Sequence, residues 1–279
     1  MSDSEGEQGL SLDAVFTEPP RPPSPEPSVV TYTRERTDAE PSTHASGDAA
    51  TWETIDIRLV GSHPLWGHYL WNAARAFATY LDHHPELYRG RAVLELGAGG
   101  GLPSLVAAKN GAQLAVVTDY PDASLMDNLN YNVQRNIPPE VAPRVRVEGY
   151  IWGKPVSHLL EIQHDATESD GYDLIIMSDL IFNHSQHDAL LRTCDEALSK
   201  RSAPDASGSP VPALLVFYTH HRPHLAHRDM EFFLKAQGSG WLCEEILTQK
   251  FPPMFPEDSG EEEVRATVHG WRLTRITPL

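Results

Sequence analysis

The segment Val93-Leu94-Glu95-Leu96-Gly97-Ala98-Gly99-Gly100-Gly101-Leu102-Pro103 constrains this chain more than any other. A short apolar strand carrying Glu95 runs into a turn with four glycines, and Leu102-Pro103 then opens a helix. A second apolar run, Val116-Val117-Thr118, ends in Asp119, 24 positions after Glu95. This is how a doubly wound α/β domain holds an adenosine-containing ligand. The glycines let the backbone approach it, the helix N-terminus favours negative charge, and the acid closing the second strand accepts ribose hydroxyls.

The glycine spacing narrows the choice of ligand. A dinucleotide fingerprint opening at Gly97 requires a small residue at position 102, where Leu102 stands, which disfavours a dehydrogenase. Glu95, Gly97, Gly99 and Gly101 form instead an acidic-x-Gly-x-Gly-x-Gly pattern. That pattern resembles the class I S-adenosylmethionine (SAM) methyltransferases.

Hydrophobic periodicity supports the same architecture. Residues 54–60 alternate as a strand, and 65–81 carries apolar Trp66, Tyr69, Leu70, Ala73, Ala74, Phe77 and Leu81 at helical spacing. Strands are then expected at 91–96, 114–118, 144–148, 172–177 and 212–219. Helices are expected near 103–110, 122–135, 184–200 and 225–237. Such alternation implies an α/β fold with a doubly wound, mostly parallel sheet of seven strands. The strand-like runs 241–249 and 264–277 suggest an antiparallel hairpin at one sheet edge, as in a methyltransferase sheet. The loop between them, from Phe251 through Glu263, combines aromatics with an acidic run and is a candidate substrate contact.

Residues 1–50 are rich in Pro, Ser, Thr and Glu, and read as a disordered extension preceding a methyltransferase domain over 51–279. Leu12, Val15, Phe16, Val29, Val30 and Tyr32 within it are candidate docking anchors. Residues 202–210 read as a surface loop. The acidic N-terminus is neither a secretory signal nor a transit peptide, and no apolar run reaches the ~20 residues that span a bilayer. Cys194 and Cys243 suit reduced thiols in a cytosolic or nuclear protein. The net charge of −17 argues against a nucleic-acid substrate and suits a cationic partner. A histidine cluster at His220, His221, His224 and His227 invites a metal reading, but Pro223 interrupts its spacing and no acid or cysteine framework accompanies it; no metal is expected.

Further segments sharpen the resemblance: Pro64-Leu65-Trp66-Gly67, Thr118-Asp119-Tyr120-Pro121-Asp122, Trp152-Gly153 and Ser178-Asp179-Leu180-Ile181-Phe182-Asn183-His184. Together they look like the seven-β-strand methyltransferases that modify protein lysines and N-termini. The likeness is greatest to fungal members, formerly labelled nicotinamide N-methyltransferase-like, that methylate the N-terminal glycine and neighbouring lysine of translation elongation factor 1-alpha. The resemblance implies SAM contacts from Trp66, Glu95, Gly97, Ala98, Gly99, Asp119, Trp152 and Ser178. Asp179, Phe182 and Asn183 would face the methyl-accepting amine, although Phe182 lacks the hydroxyl of a tyrosine at that place, and Asn183 equally suits a helix cap. It further implies a cytoplasmic protein acting on elongation factor 1-alpha, with a monomer as the default. A small-molecule N-methyltransferase, or a SAM-binding interaction protein without catalysis, remain the alternatives at this point.

Overall fold

The computed structural model describes residues 25–35, 52–167, 169–201, 208 and 210–276. Seven strands build the central sheet: β3 (Ala92–Leu96), β4 (Leu114–Asp119), β5 (Val145–Gly149), β6 (Leu174–Ser178), β7 (Ala213–Thr219), β8 (Trp241–Lys250) and β9 (Thr267–Arg275). Their spatial order is β5-β4-β3-β6-β7-β9-β8. The first five are parallel, while β9 runs antiparallel to β7 and to β8. From β3 the chain winds outward through β4 and β5, then crosses back to β6 on the other side. That reversal opens a crevice at the C-terminal ends of β3 and β6.

The inner parallel strands β3, β4, β6 and β7 are largely apolar because both of their faces are covered, whereas the edge strand β5 carries Arg146 and Glu148. Val93, Ala115, Val117, Ile176 and Phe217 pack into one core layer, while Leu94, Val116, Ile175, Met177 and Val216 pack into the other. The first layer lies under α1 (Asn72–His83), α2 (Leu102–Lys109) and α3 (Ala123–Asn136). The second lies under α4 (Ser157–Thr167), α5 (His187–Ala197) and α6 (Ala226–Gly238). A short helix, α7 (Glu262–Ala266), precedes β9 at the start of the run read as strand.

Beyond α7, the structure departs from the sequence expectations in three further places. First, residues 65–71 are turns, and α1 begins only at Asn72. Trp66 has φ +63°, which a helix cannot contain, so its ring and that of Tyr69 belong to a cavity wall. Second, α4 was not anticipated: only Leu159 and Gln163 of its eleven residues are buried, too few to write a helical period.

Third, β1 (Ser28–Thr33) lies inside the segment that composition assigns to the extension. It pairs antiparallel with β2 (Thr54–Leu59) to form a separate two-stranded sheet, with Tyr32 buried and its hydroxyl 2.9 Å from Thr79 Oγ1. The partner strand begins 21 residues after β1 ends, so composition alone could not reveal it. The candidate anchors Leu12, Val15 and Phe16, and most of the 202–210 loop, lie outside the described residues.

The β1–β2 hairpin is held by asparagines. Asn128, Asn132 and Asn136 recur every four residues along one face of α3. Their amides pair with the backbone of β2: Arg58 N donates to Asn132 at 2.8 Å, Asp56 N donates to Asn136 at 3.0 Å, and each amide returns a bond to a carbonyl of the strand. This satisfies an edge that would otherwise expose free donors and acceptors. Asn132 also donates to Gly100 O at 3.1 Å, so the same ladder ties the hairpin to the glycine turn.

Candidate active site

A cavity of about 660 Å³ occupies the crevice. Its walls come from five segments: residues 63–71 ahead of α1, the glycine turn after β3, Asp119–Tyr120 at the end of β4, Tyr150–Trp152 after β5, and Ser178–Asn183 after β6. Another hollow, of about 740 Å³, lies among Gly90, Leu114, Arg144 and Arg146 at the opposite ends of the strands, away from these segments.

The glycine turn is shaped by backbone requirements. Gly97, Gly99 and Gly101 have φ of +59°, +55° and +76°. A Cβ on Gly97 would lie 2.6 Å from Leu180 Cδ2 and 2.9 Å from Trp152 Cζ2, so glycine there is also a matter of space. Ala98 N donates to Thr118 O at 2.9 Å, binding the turn to β4. From behind, Ile57 of the hairpin sits 2.5 Å from where a Cβ on Gly100 would stand.

Asp119 closes β4 and anchors the same turn: its Oδ2 accepts from Gly99 N and its Oδ1 from Tyr120 N, each at 2.7 Å. Burial pushes its pKa up, against the pull of those two bonds and of His63. Each oxygen retains a lone pair for a further donor. Trp152 stands across the turn, its segment held by Gly153 N donating to Thr193 Oγ1 at 2.8 Å. Ser178 Oγ is buried in the cavity wall without a hydrogen-bond partner.

Glu95 is placed differently from the other predicted residues. It is fully buried beneath the turn and does not line the cavity. Its Oε2 accepts from Ser104 N of α2 at 3.1 Å, while Oε1 has no partner. Burial raises its pKa to about 8, with Asp119 adding to the rise and Ser104 opposing it.

Asp179 adopts φ +59°, a strained choice for a residue other than glycine. Its N–H donates to Phe217 O at 2.7 Å and its side chain is buried. Phe182 and Asn183 follow on the cavity wall, and Asn183 Oδ1 accepts from Ser185 Oγ at 3.0 Å in the turn leading to α5. Asn183 precedes that turn without capping it through its side chain.

Several residues complete the site beyond those to which the sequence assigned a role in it, one of them in the loop read as a candidate substrate contact. Tyr69 and Trp71 line the cavity with ring centroids 5.3 Å apart. Phe255, from the loop between β8 and α7, packs against Tyr69 at 5.2 Å and Trp71 at 6.1 Å. Arg265 holds that loop down by donating to Phe255 O at 2.6 Å. His221 bonds Asp179 at 2.8 Å, although 42 residues separate them. The exposed, aromatic loop was the visible signal for Phe255; nothing in the sequence links His221 to Asp179.

The strand order, the glycine turn and the acid closing β4 together define a class I methyltransferase. Residues 54–235 match the family model described as lysine methyltransferase. The chain belongs to that family. It is 44% identical over 284 residues to a Cryptococcus neoformans protein named "Protein N-terminal and lysine N-methyltransferase EFM7", covering 99% of this chain and 91% of that one. The Schizosaccharomyces pombe protein of the same name is 44% identical, covering 95% and 96% of the two chains. Among solved structures, a Pyrococcus horikoshii chain described as a candidate RNA methyltransferase superposes with a TM-score of 0.50 at 18% identity, covering 77% of this chain and 88% of that one, a likeness of fold alone.

Proposed function

We propose that this chain transfers a methyl group from SAM to the N-terminal α-amine and a neighbouring lysine of a protein, with translation elongation factor 1-alpha as the substrate implied by the sequence resemblance. The observation that carries the reading is the meeting, in one cavity, of an adenosine-type cradle with a buried carboxylate flanked by aromatic rings. The unpartnered Ser178 hydroxyl fits the donor, as do the open lone pairs on Asp119. Asp119 would take the ribose hydroxyls, Trp152 the adenine face, and the 97–99 backbone the remainder. When bound, SAM supplies an electrophilic methyl on a sulfonium.

The protein's own work is to deliver an amine with its lone pair free. Positioning by itself can lower such a barrier by ~7–11 kcal/mol. At pH 7 an α-amine costs about 1 kcal/mol to deprotonate, and a lysine about 4.6 kcal/mol, from pKa values of ~7.7–8.0 and ~10.4. The N-terminal amine is therefore the easier first target. Asp179 orients the amine, Phe182 packs against its methylene stem, and Tyr69, Trp71 and Phe255 form an apolar wall around it. A cytoplasmic, monomeric protein is part of the same proposal. No helix among the described residues is long and apolar enough to cross a membrane.

The test is labelled SAM, the purified protein and lysate from cells lacking it, read by gel and by mass spectrometry of intact peptides. A labelled band at the size of elongation factor 1-alpha, with added methyls on its N-terminal peptide, is the expected result. Label confined to small molecules would overturn the protein-substrate reading.

A further inference from the structure

Asp179 is one half of a pair. Its Oδ2 accepts from His221 Nε2 at 2.8 Å, while Oδ1 has only the N–H of Thr219 at a long 3.4 Å. Because a carboxylate can only accept, Nε2 must carry a proton in this geometry. The imidazole lies 4.7 Å from the Trp71 ring and 6.5 Å from Phe182, both of which line the cavity. Behind it, a second acid–histidine cluster joins the same two turns. Asp229 of α6 bonds His184 at 2.7 Å, from the turn after β6, and His220 at 2.6 Å, from the turn after β7. The scaffold thus holds the Asp179–His221 pair in place.

We propose that His221 is a positioning residue that cancels the charge of Asp179, so that the site presents the amine without locking it as an ammonium. This rests on the reading above, in which an amine is methylated beside Asp179. A lone carboxylate next to an amine stabilises its protonated form and raises its pKa. That ties up the lone pair needed for attack. An imidazolium on Oδ2 leaves the pair without net charge, while Oδ1 still accepts an N–H and fixes the direction of the amine. The charged groups acting on His221 are Asp179 at the end of β6, Asp229 on α6 and Arg222 in its own turn. Burial works against the imidazolium, but the charge and hydrogen bond of Asp179 outweigh it, Asp229 helps and Arg222 opposes; the pKa of His221 is raised.

His221→Gln keeps an N–H donor and removes the charge. With an N-terminal Gly-Lys peptide, kcat and KM are measured from pH 6 to pH 10. The rising limb of kcat is expected to move to higher pH, costing about tenfold at pH 7 for each unit of displacement. KM should not rise, and the rate should return toward that of the parent at the alkaline end. A uniform loss of kcat at every pH, or an unmoved profile, overturns the proposal. If the parent methylates only a small amine, the protein-substrate reading falls, and the same profile is recorded on that amine.

Histidine NMR titration provides a readout independent of catalysis. The His221 resonance, assigned by its loss in His221→Gln, should titrate above an ordinary imidazole in the parent and lower in Asp179→Asn. Equal values in the two proteins would overturn the coupling.

Discussion

Glu95→Gln should change how stability depends on pH. In the folded protein the Glu95 carboxyl is fully buried, one oxygen unpartnered, with its pKa raised from 4.5 to about 8. Between those two values the folded state holds a proton that the unfolded state has released. Stability therefore falls as pH rises through that window, and is greatest below pH 4.5 as far as this group is concerned. At about 1.4 kcal/mol per unit, the loss between pH 5 and pH 7 is about 3 kcal/mol. Glutamine cannot titrate, and its carbonyl can still accept from Ser104 N. Urea unfolding of both proteins at pH 5, 6, 7 and 8 isolates the contribution, because every other titrating group is common to the two. The difference should grow in favour of Glu95→Gln as pH rises. A difference that stays flat across the range would refute the claim that Glu95 folds as a neutral acid.

Three further outcomes follow from the geometry. Gly97→Ala places a methyl against Leu180 and Trp152 at a positive φ, and overpacking of this kind costs ~1–3 kcal/mol; calorimetry should show S-adenosylhomocysteine binding weaker by roughly 5- to 150-fold, the same range as an affinity, and unchanged affinity would count against the cradle. Phe255→Ala removes ring contacts with Tyr69 and Trp71 that are worth ~0.5–1.5 kcal/mol each; steady-state kinetics should show a higher KM for the peptide with the affinity for S-adenosylhomocysteine intact. Tyr32→Ala opens a cavity beneath β1 and should lower unfolding stability by ~3–5 kcal/mol; an effect within ~0.5 kcal/mol, the size of a surface substitution, would place β1 outside the cooperative fold.

The amino-acid sequence by itself determined the sheet and the glycine turn that lines the crevice. Both are written in local signals. Strands covered on two faces must be apolar throughout, which exposed β3, β4, β6 and β7, and a backbone at positive φ beside a ligand demands glycine, which exposed the turn at 97–101. Asp119 and Asp179 were legible because each follows directly on such a strand. Only the tertiary structure decided what surrounds those acids. Trp66 and Tyr69 repeat at helical spacing yet face a cavity, because Trp66 takes a left-handed backbone that ends any helix. β1 has no signature until β2 and the asparagine ladder of α3 are beside it. Glu95 belongs to the glycine motif in sequence, but burial turns it toward α2, and it supports the turn from below. His221 meets Asp179 because parallel strands bring their C-terminal ends to one edge of the sheet, whatever the length of chain between them. Pairings of that kind depend on strand order, and strand order is settled by how the helices pack on the two faces, which no local pattern records.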